Sequence, residues 1–356
     1  MTVVIRVDPN HPDPDSIALA ADCLRHGGLV AFPTETVYGL GAHALDRAAV
    51  RRLFEAKGRP AHDPLIVHVT AFDRIAALTR NVPASARALA DRFWPGPLTL
   101  VLPRSAEVPD DVTAGLDTVA LRIPSHPVAR ALLIAADLPV AAPSANLFSR
   151  PSPTRAAHVL DDLNDRIDMV LDGGVTDVGV ESTVLDLSHG TPTVLRPGAI
   201  TIEQLRGIVP SVVTRSSDAA DTTAAMASPG LLARHYSPRA PLTLYEGPAG
   251  AAIAALVVDA RTAIASGSRV GILAPTEETD VIRQSVGTVS PRPHIEDLGA
   301  GGNLPEVAQR LYATLRTLDA AGVDLILARG VPAGEGLGAA IQDRLRRAAA
   351  GQIVAC

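Results

Sequence analysis

The sequence predicts an α/β protein in two domains, and three observations carry that expectation. At 356 residues the chain is long for one average domain and suits two. Short apolar or β-branched runs alternate with helical stripes along most of its length. Near Ser211 the composition shifts, and 216–228 holds only Ser, Asp, Ala, Thr and Met without periodicity, which reads as a linker. The expected layout is a first domain over 1–210, a linker or lid over 211–240 and a smaller domain over 241–356.

In chain order, Thr2 to Val7 is a β-branched first strand. Asp13 and Pro14 open a helix with stripe Ile17, Ala18, Ala21 and Leu24, which stops at Gly27-Gly28. Leu29 to Phe32 reads as a buried strand whose pairing Pro33 ends, so Thr34, Glu35 and Thr36 form a polar cluster at a strand end. Asp46 caps a second helix (Ala49, Val50, Leu53, Phe54) that runs out at Gly58. Leu65 to Val69 is a strand carrying His68, and Trp94-Pro95-Gly96-Pro97 breaks into the strand Leu98 to Leu102. Thr118 to Ile123 buries Arg122 in an apolar run, where a guanidinium needs a carboxylate from the protein or from a ligand. Pro139 to Ala142 leads into Pro143-Ser144-Ala145-Asn146. Ser152 with Pro153 reads as a helix N-terminus, a ready anion site. Val184 to Leu187 and Thr193 to Leu195 complete a sheet of about seven strands.

The expected linker ends in Ser228-Pro229-Gly230 and Arg234-His235-Tyr236-Ser237-Pro238. Beyond it, strands at 242–245, 270–273 and 323–327 alternate with helices at 249–265, 304–320 and 339–349, the pattern of a parallel sheet. A turn with Gly330, Gly334, Gly336 and Gly338 suits an anion but matches no phosphate-loop spacing.

Composition narrows the function classes. The chain is 47% hydrophobic but only 3% aromatic, so its core must be aliphatic. Cys23 and Cys356 offer neither a metal-ligand spacing nor a disulfide framework, which suits a reducing cytoplasm. Neither a leader peptide nor an apolar run of membrane-spanning length is expected. Residues 1–210 carry 24 acids against 19 bases, a sign opposite to that of a general phosphate-backbone binder. Stable nucleic-acid binding is therefore not expected. Lys57 is the single lysine beside 31 arginines. Its retention suits a point charge for a phosphate, or simply a cation complementing a helix C-terminus.

Taken together, Pro-Thr-Glu-Thr-Val-Tyr-Gly-Leu-Gly (33–41), Lys-Gly-Arg-Pro (57–60) with Pro64-Leu65, Pro-Gly-Pro-Leu-Thr (95–99), Arg122-Ile-Pro, Ala-Pro-Ser-Ala-Asn (142–146), Glu-Ser-Thr (181–183) and Leu-Arg-Pro-Gly (195–198) closely resemble the YrdC-like family. The Arg-His-Tyr-Ser-Pro segment and the trailing domain resemble its two-domain branch, the L-threonylcarbamoyladenylate synthases. The resemblance implies a mixed twisted sheet followed by a smaller Rossmann-like domain. It also implies the substrates L-threonine, bicarbonate or CO2, and ATP with Mg2+. The product would pass to the machinery that transfers the threonylcarbamoyl group to tRNA.

Carried over by motif, threonine would be held by Thr36, His68, Arg122, Ser182 and the backbone of Ala142. ATP would meet Arg59, Asp63, Thr118, Ser144, Ser152, Arg196 and Tyr236, while Lys57 and Arg59 would serve catalysis at the triphosphate. This sequence departs from the pattern at Asp63, where asparagine is usual, and at Arg150, where glycine is. An anion at 63 would need a magnesium ion to bridge it to the phosphates. Two other readings remain: an RNA-binding module on the same fold without catalysis, and a carbamoyl-transferring maturation enzyme.

Overall fold

A computed structural model describes residues 1–214, 234–287, 289–332, 334 and 336–356. The unpatterned run at 216–228, with Pro229-Gly230, lies outside the described residues. Those described form two compact units, one built on 1–148 and 152–214, the other on 149–151 and 234–356.

The first unit is a mixed sheet with helices. Its strands are β1 (Val3–Arg6), β2 (Val30–Pro33), β3 (Tyr38–His43), β4 (Ile66–His68), β5 (Leu98–Pro103), β6 (Thr118–Arg122), β7 (Val140–Ala141), β8 (Met169–Asp172), β9 (Thr183–Asp186), β10 (Thr193–Arg196) and β11 (Val213–Thr214). They lie in the order β1-β8-β2-β3-β7-β4-β6-β5-β9-β10-β11. The mixed α/β expectation is met, but the sheet is larger than expected. Tyr38–His43 holds two glycines and was not expected as a strand, yet it pairs antiparallel with β2 on one side and β7 on the other. A side chain at Gly41 would meet the Phe32 ring at 2.9 Å, so the glycine is what lets the ring close over this strand.

The helices follow the local signals. Asp13 caps α1 (Pro14–Arg25) by accepting from the Ser16 N–H. Asp46 caps α2 (Arg47–Lys57), which ends at the left-handed Gly58. One expected cap is corrected: the helix after Ser152 begins only at Ala156, with Arg155 at the N-cap position and no side-chain cap. The Ser152 hydroxyl instead donates to Glu181 Oε1 at 2.5 Å, because this stretch stays extended and its Pro153 carbonyl accepts from the Tyr38 N–H.

Side-chain alternation divides the middle of the sheet into two faces. Val67, Leu98, Leu100, Leu102, Val119, Leu121 and Leu185 point into the main core. Their neighbours Ile66, Val101, Ala120 and Val184 form a small separate cluster on the opposite face.

The second unit is a five-stranded parallel sheet of β12 (Leu242–Glu246), β13 (Val270–Ala274), β14 (His294–Asp297), β15 (Leu325–Arg329) and β16 (Ile353–Ala355), in the order β14-β13-β15-β12-β16. Its long helices are Ala249–Ala265, Thr276–Val286, Leu304–Ala320 and Leu337–Ala349. The helix at 276–286 and strands β14 and β16 were not expected. Among the described residues, no helix is long and apolar enough to cross a membrane.

Candidate functional site

The face bearing the small apolar cluster collects the polar residues singled out in the sequence. His68 lies two residues after Ile66 on β4, and Arg122 two after Ala120 on β6, so both share that face; the parallel register sets them side by side. Thr118 stands on the same face of β6, with Ala120 between it and Arg122. Thr99, two residues before Val101 on β5, faces the same way and shares a hydrogen bond with Ser182 (Oγ1 to Oγ, 2.8 Å). Arg196 donates to the Ser182 carbonyl at 3.0 Å and to its hydroxyl at 3.2 Å. Gly198 packs so closely on this segment that a Cβ there would lie 2.4 Å from the Thr183 nitrogen.

Arg122 answers the question that its burial raises. Its Nη2 donates to Glu35 Oε1 at 2.7 Å and to Thr36 Oγ1 at 3.0 Å, and its Nε donates to the Gly96 carbonyl at 3.3 Å. The other Glu35 oxygen accepts from the Ser125 N–H at 3.1 Å. Thr34 bonds Thr36 and accepts from the Val37 N–H, which fixes the loop presenting both groups. Glu35 and Thr99 were given no role from the sequence. A carboxylate inside a buried strand-end cluster was the available signal for Glu35.

His68 is buried and neither ring nitrogen makes a hydrogen bond of good geometry, although the Ile66 and Val140 carbonyls are near enough to be felt. Burial, reinforced by the adjacent guanidinium of Arg122, pushes its pKa down to about 3. The imidazole is therefore neutral at pH 7 and too weak a base to hold a proton. It can still offer one N–H donor and one acceptor to a ligand.

The Lys-Gly-Arg-Pro segment behaves differently from the expectation. The Lys57 ammonium, instead of standing open to a triphosphate, is buried and donates to the carbonyls of Ser144 and Asn146, each at 2.6 Å. Burial first, and then Arg59, push its pKa well below the usual lysine value. Asp63 is likewise not a free anion. It is fully buried against Arg59, 3.0 Å from Nη2, and Arg59 also donates to the Asp63 and Pro64 carbonyls. Burial raises the Asp63 pKa. Ser144 is joined to Gly39 by an isolated antiparallel bridge, and Ala142 donates its N–H to the Ile66 carbonyl at 2.9 Å.

Tyr236 belongs to the second unit. Its ring is buried there, 5.6 Å from the Tyr312 ring and 5.2 Å from the Arg344 guanidinium, and His235 stacks edge-on against it. The Ser237 N–H donates to the Ser149 carbonyl at 2.7 Å, while Arg150 pairs with Asp319 at 3.1 Å. The departure at Arg150 thus has a partner in its own unit.

Comparison with known proteins gives the family. The Sua5–YciO–YrdC family model, which carries the description "Telomere recombination", matches residues 22–198. A second model, "Threonylcarbamoyl-AMP synthase, C-terminal domain", matches residues 200–350. The threonylcarbamoyl-AMP synthase of Pyrococcus abyssi is 42% identical over 99% of both chains. That of Bacillus subtilis is 43% identical over 95% of this chain and 94% of its own. The crystal structure of P. abyssi Sua5 complexed with L-threonine superposes with a TM-score of 0.90, at 41% identity and with full coverage of both chains. The chain belongs to the YrdC-like, two-domain family of threonylcarbamoyl-AMP synthases.

Proposed function

We propose that this chain joins L-threonine, bicarbonate or CO2, and ATP into threonylcarbamoyl-AMP and pyrophosphate. The observation that carries this reading is the buried pairing of Arg122 with a neutral, incompletely bonded His68 on one sheet face. A fork that binds a carboxylate beside a small donor and acceptor suits an amino acid. Arg122 would take the threonine carboxylate, with Thr36, His68, Ser182 and the backbone at Ala142 fixing its remaining polar groups. Arg59, Thr118, Ser144, Ser152 and Arg196 would line the nucleotide's path. Asp63 and Lys57 act through others in this reading: Asp63 steadies Arg59, and Lys57 holds the 144–146 loop in shape.

The proposed chemistry needs no protein nucleophile. The threonine amine, once deprotonated, adds to CO2 to give a carbamate. A carbamate oxygen then attacks the α-phosphorus in line, and the bond to the pyrophosphate oxygen breaks. Positioning and fixed positive charge on the departing pyrophosphate do the catalysis. Magnesium would enter with the nucleotide. Among this unit's buried carboxylates, Glu35, Asp63 and Glu181 are engaged by Arg122, Arg59 and Ser152, and no cluster of three or more metal-binding side chains occurs among the described residues. Phosphate oxygens and water are therefore the fitting ligands for the ion. The intermediate is labile, so a cytoplasmic tRNA-modifying transferase would consume it.

Mass spectrometry of the purified protein with threonine, bicarbonate and ATP should detect threonylcarbamoyl-AMP, and pyrophosphate release should require both co-substrates. Equal ATP cleavage with either one omitted would overturn the reading.

A further inference from the structure

The helix Pro127–Ala136 in the first unit starts with an unusual cap. Its N-cap residue is His126, whose Nδ1 accepts the Val128 N–H at 3.2 Å, while the His126 carbonyl accepts the Arg130 N–H at 2.9 Å. A backbone N–H can only donate, so Nδ1 is the bare nitrogen and the ring proton lies on Nε2. Ser, Thr, Asn or Asp is the ordinary residue at such a position, and none of them changes charge near neutral pH. Histidine adds what they lack, a cap that a proton can open.

This cap lies one residue beyond a contact of the amino-acid site. The Ser125 N–H donates to Glu35 Oε2 at 3.1 Å, and Glu35 Oε1 accepts from Arg122 Nη2 at 2.7 Å. Together with Thr36 Oγ1 and the Gly96 carbonyl, Glu35 sets the plane of the guanidinium. The His126 ring, which is buried, also braces the other end of the loop that carries Glu35. A Cβ on Gly173 would lie 3.7 Å from His126 Cε1 and 2.9 Å from Pro33 Cγ, so only a bare glycine backbone separates the ring from the residue before Thr34. Farther along the same segment, the N–H groups of Val178 and Gly179 donate to the Glu35 and Thr36 carbonyls at 2.8 and 3.0 Å.

We propose that His126 is a positioning residue of the amino-acid site: as a neutral acceptor at the start of its helix it keeps the Ser125 N–H on Glu35 and, through that carboxylate, keeps the Arg122 fork aimed at the threonine carboxylate. The proposal rests on the reading that this site binds threonine. Protonation of Nδ1 sets a donor against the Val128 N–H and a cation at the positive end of the helix, and both are unfavourable. The turn then loosens, and Glu35 and Arg122 lose their fixed geometry. Among the described residues, the charged groups whose fields reach the ring are Asp177, from the segment after β8, and Glu35, from the loop after β2. Asp172, at the end of β8, accepts from the Gly174 N–H. Burial disfavours the imidazolium more than Asp177 and Glu35 favour it, so the pKa lies below the usual histidine value. The cap is therefore closed at pH 7 and opens in acid.

Threonine affinity of the full-length protein, measured by isothermal titration calorimetry between about pH 5 and 7, tests this, because neither the carboxylate nor the amine of threonine titrates there. Wild-type affinity should weaken toward the acid end. His126→Ala should weaken it roughly tenfold at pH 7 and leave ATP affinity unchanged. His126→Asn, which returns an oxygen acceptor that takes no proton, should rescue it to within about twofold and remove the acid weakening. A purely structural cap would move stability without changing that pH profile. Acid weakening as steep in His126→Asn as in the wild type, a folded His126→Ala that binds threonine normally, or one that loses ATP affinity equally would each overturn the proposal and leave the synthase reading standing. A wild-type protein that binds no threonine at any pH would overturn that reading and this proposal with it.

Discussion

Removing Arg122 separates its structural task from its chemical one. Arg122→Ala deletes the partner that holds Glu35 Oε1 at 2.7 Å and leaves a buried carboxylate supported by the Ser125 N–H alone. Breaking a buried pair from one side costs about 3–5 kcal/mol because a charge is stranded. At about 2–4 °C per kcal/mol for a unit of this size, the melting transition of the first unit should fall on the order of 10 °C. Adding Glu35→Gln removes the stranded charge, so the double variant should regain a good part of that loss. Threonine-dependent pyrophosphate release should stay lost in both variants at saturating ATP, because the substrate carboxylate has no fork in either. Melting by circular dichroism and a pyrophosphate assay on three proteins decide the matter. If Glu35→Gln restores no stability, the pair is not the buried charge couple inferred here; if Arg122→Ala keeps threonine-dependent turnover, Arg122 does not bind the amino acid.

Three further outcomes are expected. His68 stays neutral down to about pH 3 in the folded state, whereas an exposed histidine takes up a proton near 6.5. Stability should therefore fall as pH drops from 6.5 toward 3, and His68→Gln should remove about one proton's worth of that slope in denaturation measured across the range. Asp63→Asn should leave the magnesium concentration for half-maximal activity unchanged, since Asp63 is held by Arg59 and the ion travels with ATP; a lowered requirement would restore a bridging role for Asp63. Tyr236→Ala should lower the stability of the second unit by about 3–5 kcal/mol, as its buried ring packs on Tyr312 and under Arg344; a thermal melt unchanged by the substitution would refute that packing.

Local chemistry determined much of this protein. The caps Asp13 and Asp46, the stop at Gly58 and the helices at 249–265 and 304–320 stand where propensity and stripe put them, because each needs only neighbours within a turn or two. The site face was legible in part for a similar reason. A guanidinium and an imidazole inside apolar strands have few bland explanations, and their alternation with Ile66 and Ala120 sets them on one side. Partner choice was not legible. Glu35 meets Arg122, Lys57 meets the Ser144 and Asn146 carbonyls, and Ser152 meets Glu181 only because strand order and register fold distant segments together. Strand β3 was hidden for the complementary reason: its glycines argue against a strand locally, and only pairing on both edges outweighs them. Sequence supplied the groups and the faces they occupy. Tertiary structure decided which of them neutralise one another and which are left to meet a ligand, since a buried charge takes whichever partner the sheet brings within reach.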